Sequence, residues 1–166
     1  MPLERRHRVD DFRCSSSEQQ DWLQRFARPS HAAESTRVFV VTVEGADEVV
    51  AYFAWRMAEL TVYAAPGRLR AGSGRYPQPV ALLARLAVHT DHGGRGLGSA
   101  LLRDVVLRLL DLDPTIGCRG LLIHAESEAA RAWYLHVVPE LMASPTDPMH
   151  LVLLLKDVRR SLQADW

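Results

Sequence analysis

Lysine is almost missing from this chain: of its 20 basic residues only Lys156 is not an arginine. A phosphate-binding P-loop, which needs lysine followed by serine or threonine at its end, is thereby excluded. Cysteine is scarce as well. Cys14 and Cys118 build no disulfide framework, and no Cys/His spacing suggests zinc, so no metal is expected and both read as small core residues. No apolar run reaches the length of a membrane span, and the charged residues 1–11 contain no signal-peptide core. The expectation is a cytoplasmic protein with no membrane partner. Internal repeats are absent, and so is net charge, since 20 Lys+Arg balance 20 Asp+Glu.

What is present is a chain of 166 residues, 48% hydrophobic. That is enough for one folded domain with a sizeable core, expected to span residues 1–166, and too apolar for a disordered chain. The zero net charge hides an asymmetry. Residues 56–108 carry eight arginines against Glu59, Asp91 and Asp104, a balance of +5, whereas residues 109–166 carry five basic groups against eight carboxylates, a balance of −3. Such a distribution aims a positive field at one region of the surface.

The chain is organised around residues 80–110. Residues 80–88 (VALLARLAV) are apolar apart from Arg85 and have the length of a buried strand. His89-Thr90-Asp91-His92 follows, then Gly93-Gly94-Arg95-Gly96-Leu97-Gly98. From Ser99 onward Leu101, Leu102, Val105, Val106, Leu109 and Leu110 recur at helical spacing. Strand, glycine-rich turn and helix in that order make an anion site. The first amides of a helix lack internal acceptors, the helix dipole favours negative charge there, and glycines let a phosphate approach the backbone. Arg95 adds a fork of donors suited to phosphate oxygens. A dinucleotide fingerprint is excluded, because Ser99 stands where its third glycine belongs. An ordinary tight strand-to-helix turn is the other reading of these glycines.

The remaining elements read as follows. Ser15 and Glu18 form a capping box for a helix over residues 16–27, and Pro29 marks its end. Residues 37–43 and 48–63 read as strands joined through Gly45-Ala46-Asp47 into a hairpin. Residues 64–79 are rich in proline and glycine, with Arg68, Arg70 and Arg75 and no carboxylate. They read either as a solvated loop or as a mobile basic flap beside a cleft, contacting a phosphate-rich substrate. Residues 119–125 read as a strand, and Ser127 caps a helix over residues 128–137. Residues 144–148 form a loop, residues 149–155 a strand and residues 157–162 a helical turn or two. Alternating strands and helices imply an α/β (α+β) fold with a mixed central sheet flanked by helices.

The residues from Arg85 to Gly98 resemble motif A of the GNAT N-acetyltransferases, R/Q-x-x-G-x-G/A, with Gly93 standing where that family usually has Gln or Arg. Ala132-Trp133-Tyr134-Leu135-His136 is similar to the family's aromatic-Tyr motif, here followed by Val138-Pro139 where Gly-Phe is usual. The resemblance implies the GNAT fold and acetyl-CoA as cofactor. It places the cofactor's diphosphate on Gly93, Gly94, Arg95, Gly96, Leu97, Gly98 and Ser99. Its pantetheine then lies along Leu86, Ala87 and Val88, whose amides also stabilise the oxyanion. Tyr134 becomes the acid that protonates the departing thiolate. A phenol with a pKa of about 10 is protonated at neutral pH, whereas an alkyl thiol titrates near about 8.5. His89, His92, His124 and His136 read as structural or surface histidines. No base is required, because an α-amino group with a pKa of about 8 is partly neutral at pH 7.

The resemblance reaches further, to the GNAT toxins of type II toxin–antitoxin systems. It rests on Phe12-Arg13-Cys14, Asp21-Trp22-Leu23, the 65–70 segment Ala-Pro-Gly-Arg-Leu-Arg, Arg85 to Val88, the 144–148 segment, Leu153 to Asp157, and Arg159-Arg160. That subgroup implies acetylation of the α-amino group of aminoacyl-tRNA, arrest of translation, a homodimer, and a ribbon-helix-helix antitoxin through which operator DNA is bound. Arg68, Arg70, Arg75 and Arg85 are the candidates for contacts to tRNA. Two alternatives stay open at this level: an enzyme that acetylates a small amine or a protein N-terminus, and a degenerate, non-catalytic binding module.

Overall fold

The computed structural model describes residues 1–71 and 75–164. Its elements are α1 (Ser17–Arg25), α2 (Ala27–Ala32), β1 (Arg37–Thr42), β2 (Val49–Leu60), α3 (Gly67–Arg70), β3 (Gln78–Val88), α4 (Leu97–Leu112), β4 (Gly120–His124), α5 (Glu128–Val137), β5 (Met142–Ala143), β6 (His150–Leu154) and α6 (Leu155–Ala164). The strands form one mixed six-stranded sheet in the order β1-β2-β3-β4-β6-β5, the architecture that the alternation of elements implies. None of the described helices is long and apolar enough to cross a membrane. The chain packs as two compact units, Met1–Arg56 with Leu83–Val105, and Met57–Leu82 with Val106–Trp166.

In the first unit α1 starts one residue later than the capping-box reading. Ser16, not Ser15, is the N-cap, and its hydroxyl accepts from the Gln19 amide at 3.2 Å. Pro29 does not end the helical region. It sits in the first turn of α2, where a missing amide costs nothing. The hairpin forms as expected, with Phe39 directly opposite Phe53 and their rings stacked 5.0 Å apart. Leu3, Val9, Phe12, Leu23, Val38, Val40, Val49, Tyr52 and Ala87 make the core. The Tyr52 hydroxyl, buried within it, donates to the Gln19 carbonyl at 2.6 Å, so its polar tip is satisfied.

In the second unit β4 pairs antiparallel with β6, Gly120 opposite Leu154 through His124 opposite His150. A Cβ at Gly120 would run into the Leu153 carbonyl oxygen, so this strand position admits only glycine. Leu121, Leu122 and Ile123 face Leu151 to Leu153 across the pair, and all are buried. Arg159 of α6 pairs with Asp113, at the end of α4. Cys118 is buried, as expected of a core thiol, and Cys14 in the first unit is half-buried.

The connection over residues 64–79 departs from the flap reading. It contains the short helix α3, with Ala65 and Leu69 fully buried. The Ser144 hydroxyl donates to the Ala64 carbonyl at 2.7 Å, and Arg119 donates to the Leu69 carbonyl at 3.3 Å. These ties pack residues 64–70 onto their unit. Gly72-Ser73-Gly74, read with it as flap, lies outside the described residues.

Candidate active site

β3 delivers the chain to the glycine-rich loop in a fixed direction. The His89 amide donates to the Val50 carbonyl at 2.8 Å and the Thr90 amide to the Arg13 carbonyl at 2.9 Å. His89 Nδ1 accepts from the Asp91 amide at 3.0 Å, which leaves the ring proton on Nε2, 3.2 Å from the Asp11 carbonyl. His89 is therefore a structural histidine, as the sequence reading has it. A single 3-10 turn, Thr90–His92, leads into Gly93.

Gly94 and Gly96 take φ of +71° and +78°. A side chain is strained in that region, and two left-handed residues with one between them curl the loop over the start of α4. The helix begins at Leu97, two residues before the expected Ser99. Its first internal bond runs from the Ala100 amide to the Gly96 carbonyl, 3.0 Å. The amides of Leu97, Gly98 and Ser99 thus precede any acceptor in the helix. Gly93, Gly94, Arg95 and Gly96 are exposed, and residues 93–99 include no carboxylate. A diphosphate fits this set: helix-start amides, a cation at Arg95, and no like charge to oppose it. Gly93 has φ −71° and an added Cβ would lie 3.6 Å from the Thr90 carbonyl oxygen, an ordinary contact, so its missing side chain is a departure from motif A that the backbone does not impose. Of the residues proposed for the pantetheine, Ala87 is buried and Leu86 and Val88 are half-buried on the last stretch of β3.

In the other unit, Tyr134 occupies α5, whose limits match the sequence reading. The Ser127 hydroxyl caps it by accepting from the Ala130 amide at 3.1 Å, and Glu128 lies in its first turn. Tyr134 is buried beside Trp133, ring centroids 5.0 Å apart. Burial pushes its phenol well above the ordinary tyrosine value, and the negative charge of Glu126 adds to the shift. The group is consequently a protonated phenol across the physiological range. The unusual Val138-Pro139 leaves the helix end intact, because the Val138 amide donates to the Tyr134 carbonyl at 2.9 Å before Pro139 stops the run.

The four candidate tRNA arginines are not alike. Arg68 forms two bonds of 2.6 Å to the Asp157 carboxylate, and that partner raises its already high pKa. Arg85 pairs with Glu18 at 2.8 Å and lies over the Trp22 ring, 5.5 Å from its centroid. Both guanidinium groups are engaged within their own units. Arg68, Arg70 and Arg75 are all exposed, and Arg70 too has an interaction within the fold. Two features escaped the sequence reading. His124 and His150 stack 3.8 Å apart as a cross-strand pair, and buried Gln78 accepts from Arg119 at 2.7 Å. Each joins residues far apart in the chain, so no local pattern signals it. No group of His, Cys, Asp and Glu able to hold a metal occurs among the described residues.

Comparison with known proteins adds to this geometry. Residues 34–137 match the acetyltransferase (GNAT) domain. The chain is 41% identical over 151 residues to a tRNA-acetylating toxin of Mycobacterium tuberculosis, covering 91% of this chain and 88% of that protein. The structure of AtaT complexed with acetyl-methionyl-tRNAfMet has a TM-score of 0.88 at 17% identity, covering 98% of this chain and 97% of that one. AtaTR bound with AcCoA has a TM-score of 0.82 at 17% identity, covering 97% and 95%. At such identities these two structures establish a common fold.

Proposed function

The chain belongs to the GNAT acetyltransferase family, and from that premise we propose that it is a toxin transferring acetyl from acetyl-CoA to the α-amino group of aminoacyl-tRNA, which stops translation. One observation carries the reading: 41% identity across 91% of the chain to a protein named for acetylating tRNA. The same reading supplies a ribbon-helix-helix antitoxin as neutralising partner, operator DNA reached only through that antitoxin, a homodimer, and the cytoplasm as the place of action.

When bound, acetyl-CoA supplies an activated acetyl thioester. The amides of residues 94–99, which Gly93 leads into, and the Arg95 guanidinium would hold its diphosphate, and the backbone of Leu86 to Val88 would receive its pantetheine as an added strand and stabilise negative charge on the thioester oxygen. The acceptor amine, with a pKa of about 8, is neutral often enough at pH 7 to attack without a protein base. As the new C–N bond forms and the C–S bond breaks, Tyr134 Oη would give its proton to the departing sulfur and recover one from the nitrogen that has attacked, so the phenol is restored. Its raised pKa means that the phenol enters the reaction protonated at neutral pH and cannot serve there as a base.

The test is transfer of labelled acetyl by the purified protein. Label should appear on aminoacylated tRNA and not on the same tRNA after deacylation. Equal labelling of a small primary amine or a peptide N-terminus, with none on charged tRNA, would overturn the substrate assignment.

A further inference from the structure

The connection between β2 and β3 carries the most exposed large apolar side chains among the described residues, Tyr63 at 82% and Tyr76 at 77% of full exposure. Their neighbours show that burial was open to residues of this segment, since Ala65 and Leu69 are fully inside. The backbone beside each ring is also pinned. Ala64 and Ala65 donate to the Thr61 carbonyl at 3.1 and 2.9 Å, and Ser144 donates to the Ala64 carbonyl at 2.7 Å. The Tyr76 carbonyl accepts from buried Gln78 at 3.0 Å, and Gln78 is itself held by Arg119 at 2.7 Å. Two rings are thus held in water on an anchored frame. Arg70 and Arg75 are exposed in the same stretch, and residues 61–79 contain no carboxylate.

Exposed aromatic rings interleaved with arginine are the chemistry of single-stranded nucleic acid: bases stack on the rings and the cations meet phosphates. We propose that Tyr63 and Tyr76 stack on unpaired bases at the single-stranded 3′ end of the RNA substrate, with Arg75 on its backbone. This rests on the aminoacyl-tRNA reading and deepens it by naming the part of the RNA that is gripped and the side chains that grip it. Arg68, committed to Asp157, belongs to the frame and not to the contact. Because the backbone beside both rings is already hydrogen-bonded, stacking carries little ordering cost.

The probe is a fluorescent RNA stem-loop with a four-nucleotide 3′ overhang, compared with its blunt counterpart. Neither is aminoacylated and no acetyl donor is present, so the outcome is independent of whether transfer occurs. Tyr63→Ala with Tyr76→Ala should weaken overhang binding by about five- to a hundredfold per ring and leave blunt binding within about twofold. The double Phe variant should bind like the parent, because stacking uses the ring and not the hydroxyl. Arg75→Gln should weaken both RNAs and lower the slope of affinity against salt. The proposal is overturned if the double Ala variant keeps its preference for the overhang, or if the Phe variant loses as much as the Ala variant. It is equally overturned if light scattering shows the Ala variant to have changed its oligomeric state, which would assign the rings to contact between copies.

Discussion

At the scale of single residues, the chemistry turns on the state of one phenol. A buried tyrosine with its pKa raised holds its proton where a solvent-exposed one begins to lose it. Tyr134→Phe keeps the ring and removes the proton. Acetyl transfer should fall by about 10²- to 10⁴-fold, with acetyl-CoA affinity by calorimetry and the thermal midpoint unchanged. The rate should rise with pH through the amine's pKa of about 8 and hold to pH 9; a descending limb below pH 9 would contradict the assignment. His7 governs a different pH range. It is 1% exposed, Nδ1 accepts from the Glu4 amide at 2.9 Å, and Nε2 finds no partner among the described residues. Burial lowers its pKa, with the charge of Arg6 next, and burial lowers that of His31 too. Below about pH 6.5 the unfolded chain therefore binds protons that the folded chain resists, so stability is present above that pH and lost beneath it. The urea midpoint should drop between pH 7 and pH 5, and His7→Phe should shrink the drop. A flat midpoint over that interval would show that these rings do not control acid stability.

At the scale of elements, the sequence was most legible where local chemistry decides. Ser127 with the apolar face of residues 128–137 specified α5 to its ends, and β-branched residues ahead of the Gly45-Ala46-Asp47 turn specified the hairpin. It was least legible where equivalent signals compete. Three consecutive serines offer three caps, and in the fold it is the Ser16 hydroxyl that meets the Gln19 amide. Pro29 reads as a stop in isolation yet is accepted in a first turn, and the Pro66-Gly67 signal concealed α3, whose Leu69 is held by burial. The glycine-rich loop was legible as a motif, though not which glycines bear its conformation. Because only Gly94 and Gly96 have positive φ, Gly94→Ala or Gly96→Ala should cost about 1 kcal/mol of stability and weaken acetyl-CoA. Gly93→Gln, at a negative φ with room for a side chain, should fold normally and bind acetyl-CoA more tightly. Calorimetric affinities in the reverse order would remove the loop from the cofactor site.

At the scale of the whole molecule, the residues that carry the toxin resemblance prove to be largely structural ties. Arg68 holds Asp157, Ser144 holds Ala64, Trp22 lies under Arg85, and Arg159 holds Asp113. Such pairs join distant stretches of chain, so a sequence can display their members without revealing who meets whom. This is why Arg68 and Arg75 looked equivalent beforehand and do not in the fold. Arg68→Gln should lower the thermal midpoint, because the nearly buried Asp157 loses its partner, while tRNA affinity stays within about twofold. Arg75→Gln should do the opposite. Salt-dependent binding that follows Arg68 instead of Arg75 would reverse the assignment. The central claim, an acetyl group placed on the amine of a charged tRNA, is reached most directly by mass spectrometry of total tRNA from cells in which the protein has just been induced. The account predicts N-acetylated aminoacyl ends that appear with growth arrest and are missing when Tyr134→Phe is induced. Arrest with every aminoacyl end unmodified would contradict it.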